Sequence, residues 1–168
     1  MTYATAAELL TRFDAAEIAQ RVDRGVPRLV TAELMTAVAT SADVSAFTAA
    51  EITRANASLV VLQRALADAD DTINGYIITR YSLPLAPVPA VLARVACELA
   101  RFYLYDDQVT DLIKDRHAAN MKWLAEVSKG TVSLGADAVS GVQPVSSAGA
   151  ELVSGATVWK RGRSEVFV

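Results

Sequence analysis

The chain has 168 residues, of which 52% are hydrophobic and 21% charged, and a formal net charge of −3. That length suits one folded body with appendages, that apolar share excludes a disordered chain, and the mildly acidic balance speaks against a protein built mainly to hold nucleic acid. A lone cysteine, Cys97, excludes an internal disulfide framework and fits a reducing compartment.

In chain order, Thr5-Ala-Ala-Glu8 is a capping box that predicts a short helix through Arg12. Asp14-Ala-Ala-Glu17 repeats that grammar and predicts a second, ending near Gly25 ahead of Pro27. A third helix is expected from Arg28 to Ala39, on the apolar set Leu29, Val30, Leu34, Met35 and Val38. Ser41 to Phe47 reads as a linker. Thr48-Ala-Ala-Glu51 is another capping box, and a long helix is expected from Ala49 to Tyr81. Leu59, Leu62, Leu66, Ala69, Ile73, Tyr76 and Arg80 step three and four apart along it, on one stripe. Gly75 is a weak point in it that would let a neighbour approach. Pro84, Pro87 and Pro89 then forbid helix, and Pro89 is placed to open the next one, to Tyr105.

Asp106-Asp107 breaks that helix, and another is expected from Gln108 to Lys129, with Val109, Leu112, Ile113, Trp123, Leu124 and Val127 facing inward and Gly130 as its stop. Thr131 to Leu134 alternates, as a short strand or hairpin arm would. Ala136 to Gly155 is rich in Ala, Ser, Gly and Val and reads as a flexible or extended arm. The final stretch, Ala156 to Val168, carries Trp159, Lys160, Arg161, Arg163 and Phe167, a basic and aromatic set expected to dock on a partner. The expected fold is therefore all-α: a small helical bundle with one long central helix, residues 1–130, followed by an extended C-terminal arm and docking tail, residues 131–168.

Reactive chemistry is scarce. His117 is the single histidine, so His-rich zinc sites are excluded. There is no Gly-x-Ser-x-Gly word and no Gly-Lys-Ser/Thr phosphate loop. Asp68, Asp70 and Asp71 read as a solvated helix face, with Asp70 four residues before Asn74, because successive helical residues point apart and no second ligand type completes a metal shell. Cys97 reads as a buried small hydrophobe. No enzymatic activity, cofactor or metal is expected. Arg64, Asp68, Arg94 and Glu98 interrupt the apolar runs before the ~20 residues a bilayer requires, and the first residues lack a signal-peptide pattern, so the protein is expected to act where it is made, without a membrane. Arg21, Arg24 and Arg28 around Gly25 fit a helix-turn-helix, although Asp14, Glu17, Asp23 and Glu33 interleave with them.

The stretch from Ala67 to Pro89, with Asp70, Ile73, Tyr76, Arg80-Tyr81, Leu83-Pro84-Leu85 and Val88-Pro89, resembles the Mu-like prophage head–tail adaptor family of tailed bacteriophages. The likeness continues through Leu99-Ala-Arg-Phe-Tyr103 and Trp123 to Leu134, and covers roughly residues 1–138. It departs from the family pattern at Arg116-His117, where Arg-Tyr is usual, and in the wording of the tail. The resemblance implies a structural virion protein: a head–tail connector, or head completion protein, forming a ring, commonly twelvefold, below the portal. Such a ring extends the DNA channel and joins capsid to tail. It implies as partners further copies of the chain, the portal protein, the next connector, stopper or tail protein, and non-specific contact with genomic DNA. The location implied is the head–tail interface of the virion, with host cytoplasm during assembly. Asp70, Ile73, Tyr76, Arg80, Tyr81, Leu83, Pro84 and Leu85 are implied to define the corner, with Tyr76 and Tyr81 packing it and Arg80 tying it by hydrogen bonds. Trp159, Lys160, Arg161, Arg163 and Phe167 are implied to dock on the portal or a neighbour. The alternative is a small-terminase-like or regulatory helical protein that recognises DNA.

Overall fold

Thr5 and Glu8 close the expected capping box: the threonine hydroxyl accepts from the Glu8 amide, and the Glu8 carboxylate accepts from the Thr5 amide. Helix α1 (Ala6–Arg12) starts there in a computed structural model that describes residues 2–134. The order continues with α2 (Ala15–Val22), α3 (Ala32–Thr40), α4 (Ala49–Ile77), α5 (Ala90–Tyr105), a 3-10 turn (Asp106–Gln108) and α6 (Asp111–Lys129). Among the described residues there are no strands, so the fold is all-α, and Thr131 to Leu134 is not a strand. The remainder of the arm, including any hairpin it forms, and the docking set Trp159, Lys160, Arg161, Arg163 and Phe167 lie outside the described residues.

Helix α4 has 29 residues, so it is about 43 Å long at 1.5 Å per residue. It packs against each of the other five helices. Its buried stripe comprises Ala55, Ser58, Leu62, Ala65, Leu66, Ala69, Asp70, Ile73 and Ile77. Burying each leucine or isoleucine there contributes roughly 1.5–3 kcal/mol. Helix α5 is its main partner and offers Leu92, Val95, Ala96, Leu99 and Ala100, so small residues on both helices allow close approach. The α1–α3 group packs on this pair, and α6 packs on the pair alone among the helices.

Helix boundaries shift from the expected ones for identifiable reasons. Helix α2 ends at Val22, because Asp23 turns its carboxylate onto the amides of the loop beyond it. Helix α3 begins at Ala32, capped by the Thr31 hydroxyl, four residues later than the apolar pattern suggests. Helix α4 stops at Ile77, and the Arg80 and Tyr81 amides donate to the Ile77 carbonyl in a turn that brings Tyr81 inward. Pro89 is the cap of α5, with Ala90 its first residue. Helix α6 starts at Asp111, because Asp106 has φ 50°, a conformation that L side chains rarely adopt and that uncouples α5 from the 3-10 turn and α6. Leu112 is 59% exposed and does not face inward as its place in the apolar pattern suggests. Gly75 has no neighbour within 4 Å of a Cβ placed on it, so no described residue uses that gap.

Candidate functional site

The corner between α4 and α5 is built on Tyr81 and Leu85, which are 2% and 4% exposed. Leu83 and Tyr76 are half-buried against the same core, and Pro84 is exposed. The Tyr81 hydroxyl accepts a hydrogen bond from the Leu134 amide at 3.1 Å. Leu134 itself is buried, so the core continues four residues past Gly130. Arg80 works by packing. Its guanidinium lies where a Cβ on Gly130 would sit, 1.5 Å from that position, and Gly130 has φ +83°. The glycine therefore serves both the left-handed stop of α6 and the close approach of Arg80. Among the described residues the Arg80 side chain makes no hydrogen bond, in contrast to the tie expected of it. Its charge beside the last carbonyls of α6 suits the helix dipole.

A second centre is the loop after α2. Asp23 is 2% exposed, and its carboxylate accepts from the amides of Gly25, Leu29 and Val30 and from the Arg54 guanidinium at 3.3 Å. Burial works to raise its pKa, but the three amides and Arg54 together hold it below the usual carboxylate value. Gly25 is needed for space, since a Cβ there would lie 1.0 Å from Arg54 Nη1. The helix-turn-helix reading does not survive this loop. Nine residues separate α2 from α3, where that motif uses three or four. The basic residues sit at the end of α2 and in the loop, and α3, Ala-Glu-Leu-Met-Thr-Ala-Val-Ala-Thr, has none.

Glu17 is the third centre. It does not complete the second capping box; Asp14 caps α2 alone through the Ala16 amide. Instead Glu17 accepts two hydrogen bonds of 2.8 Å from Arg101 and one from the Tyr105 hydroxyl, tying α2 to α5. Arg101 also lies over the Phe13 ring, 4.6 Å from its centroid. Neither this cluster nor the Asp23 hub is foreseen among the sequence candidates. The signal for Asp23 was present in Asp23-Arg24-Gly25-Val26-Pro27, since an aspartate two residues before a glycine is set to form an Asx turn.

Asp70 departs most from its expected environment. Asp68 and Asp71 are exposed, but Asp70 is 6% exposed and accepts the Tyr3 amide at 3.2 Å, while the Tyr3 hydroxyl donates to Asn74. Burial, with Asp71 adding to it and the Tyr3 amide opposing, pushes the Asp70 pKa up to about 6. Burial and the Asp70 charge push Tyr3 up to about 12. The carboxylate borders an open cleft of about 420 Å³ between the N-terminal segment and α4. A raised acid pKa means the folded state holds the proton more tightly. The stability it contributes is therefore present below the unfolded value near 4 and is lost as pH rises through about 6. Asp70→Asn keeps an acceptor for Tyr3 and removes the charge. It should stabilise the chain at pH 7 by about 1–2 kcal/mol, with no gain at pH 4. Urea melts at both values check this, and an equal effect at both would refute it.

Reactive groups remain isolated. His117 stacks on Phe102 with 3.8 Å between centroids, and burial lowers its pKa, favouring the neutral ring. Cys97 is 1% exposed, and burial pushes its thiol up to about 11, so it behaves as the small hydrophobe expected. Among the described residues, no group of three His, Cys, Asp or Glu side chains is placed to hold a metal ion, and no helix is long and apolar enough to cross a membrane.

Known proteins align with half or more of this chain. The family model described as Bacteriophage Mu, Gp36 matches residues 3–152. The Mu-like prophage FluMu protein gp36 of Haemophilus influenzae is 39% identical over 108 residues, which span 64% of this chain and 75% of that protein. Gene product J of Escherichia phage Mu is 37% identical over 84 residues, 50% of this chain and 60% of that one. The family match runs from Tyr3 through the corner at Tyr81, α6 and Leu134, and on that match the chain belongs to the Mu Gp36 family of bacteriophage proteins.

Proposed function

We propose that this protein is a structural component of the virion, a head–tail connector whose helical body forms a ring below the portal. The ring extends the DNA channel and joins capsid to tail. The observation that carries this reading is the Mu Gp36 family match across residues 3–152. Two features of the chain support it. The Asp23 and Glu17 clusters cross-tie the helices of the described body, and Leu134, past the end of α6, is buried and held by Tyr81. A cross-tied body suits assembly, because it keeps its shape when partners dock on it. On this reading the partners are eleven further copies in a twelvefold ring, the portal protein, and a stopper or tail protein on the far side. The chain is not an enzyme, and it moves from host cytoplasm to the head–tail interface as particles form.

Deleting residues 156–168 removes Trp159, Lys160, Arg161, Arg163 and Phe167. The expected outcome is a truncated chain that melts like the full one but leaves heads and tails unjoined in particle preparations. Normal particles from the truncated gene would count against the docking role, and absence of the full-length chain from mature particles would remove the connector reading itself.

A further inference from the structure

The four acids that interleave with Arg21, Arg24 and Arg28 along the sequence do not share their surface equally. Glu17 is consumed by Arg101 and Tyr105, and Asp23 is buried by three amides and Arg54. The arginines stay outside. Arg24 and Arg28 are exposed, and Arg21 is half-exposed, lying over the Tyr105 ring at 4.1 Å with one nitrogen 3.3 Å from the Gln108 amide oxygen. All three line one open groove of about 280 Å³ between the α2 end and the 3-10 turn after α5. Gln20 and Gln108 add polar groups to its walls. Two carboxylates line it as well: Asp23, already held by its three amides and Arg54, and Asp106, 3.3 Å from Arg24 in a pair with both side chains mostly in water. Such a solvent-screened pair is weak, so a phosphate can displace Asp106 from Arg24 at little cost. Arg28 forms no ion pair among the described residues.

We propose that this arginine-lined groove binds the phosphodiester backbone of duplex DNA, without reading its sequence. Three guanidiniums around a polar groove suit phosphate oxygens, which take their paired N–H groups. An acidic peptide would need an apolar pocket for an anchoring side chain, and Leu104 is the main aliphatic wall here. The overall charge of −3 makes the patch a local exception, so binding is weak and confined to this face. The inference rests on the connector reading only for the source of the duplex.

The test is fluorescence anisotropy of short labelled duplexes of unrelated sequence, titrated with the full chain at roughly 50 and 200 mM salt. Three phosphates give an expected log–log salt slope near −3, at about −0.9 per phosphate. The triple variant Arg21→Gln, Arg24→Gln, Arg28→Gln should lose about tenfold or more in affinity at low salt. The double variant Arg64→Gln, Arg116→Gln, which removes exposed arginines on α4 and α6, should stay within about twofold. Should the triple variant melt early, Arg28→Gln alone and amide shift mapping on the wild-type chain replace it, with shifts expected at residues 20–28 and 104–108. Salt-independent or undetectable duplex binding overturns the proposal. So does equal loss in the double variant, a preference for one duplex sequence, or tighter binding of a poly-glutamate peptide at the same arginines. Particle incorporation is not read here. Failure therefore leaves the connector reading standing, and a chain that binds duplex but is missing from particles sinks that reading alone.

Discussion

Asp23→Ala is expected to destabilise the folded chain by about 3–5 kcal/mol, the range for breaking a buried charged pair from one side. The carboxylate is 2% exposed and serves four donors: the Gly25, Leu29 and Val30 amides and Arg54. Alanine leaves the Val30 amide buried without its acceptor and the Arg54 guanidinium, pressed against Gly25, without a counter-charge. The loss should spread beyond the loop, because Arg54 lies on α4 and Asp23 caps off α2, so the pair links the N-terminal group to the central helix. Acid should imitate the mutation in part. The folded pKa is depressed, so the contribution is present above the unfolded value near 4 and fades as pH falls through the folded value. Urea unfolding at pH 7 and pH 3 measures both effects. Asp23→Ala should lie far below wild type at pH 7 and closer to it at pH 3. A loss under about 1 kcal/mol at pH 7 would show that the hub does not hold the loop.

The same residues show where sequence reading succeeds and where it stops. Thr5 with Glu8 and Thr48 with Glu51 form the capping boxes their spacing promises, because every atom involved lies within four residues. The stripe from Leu62 to Ile73 is equally local, and it locates the central helix within a few residues. Glu17 follows the same spelling as Glu8 but bonds to Arg101, 84 residues away, because a bidentate partner on α5 outcompetes a helix-end amide. Asp70 sits between two exposed aspartates and is buried by an N-terminal segment 67 residues distant. Its spacing, four after Leu66 and three before Ile73, puts it on the buried side of α4, but a lone aspartate there reads as solvated until Tyr3 packs over it. The corner is legible for a different reason. Prolines at 84, 87 and 89 fix where helix cannot continue, while the inward turn of Tyr81 depends on the amide bond to Ile77 and on Leu134 arriving from beyond α6.

Tyr81 therefore gives the second large effect, and its two substitutions separate packing from anchoring. Tyr81→Ala removes a ring that is 2% exposed at the junction of the α4 end, the corner and the exit segment. A cavity of that kind costs about 3–5 kcal/mol and should appear as a lower urea midpoint for the whole body. Tyr81→Phe keeps the ring and deletes only the oxygen that accepts the Leu134 amide. That amide is then left in a buried setting with no acceptor, a loss of about 1–2 kcal/mol. The cost should be local, because Leu134 lies past the end of α6 and no helix hydrogen bond uses its amide. Amide hydrogen exchange should accelerate at Leu134 by roughly five- to thirtyfold, the factor equivalent to that energy, with little change at Leu62 or Leu99 in the core. If exchange at Leu134 is unaltered in Tyr81→Phe, the hydroxyl does not hold the segment after α6, and Leu134 is kept in place by the burial of its side chain alone.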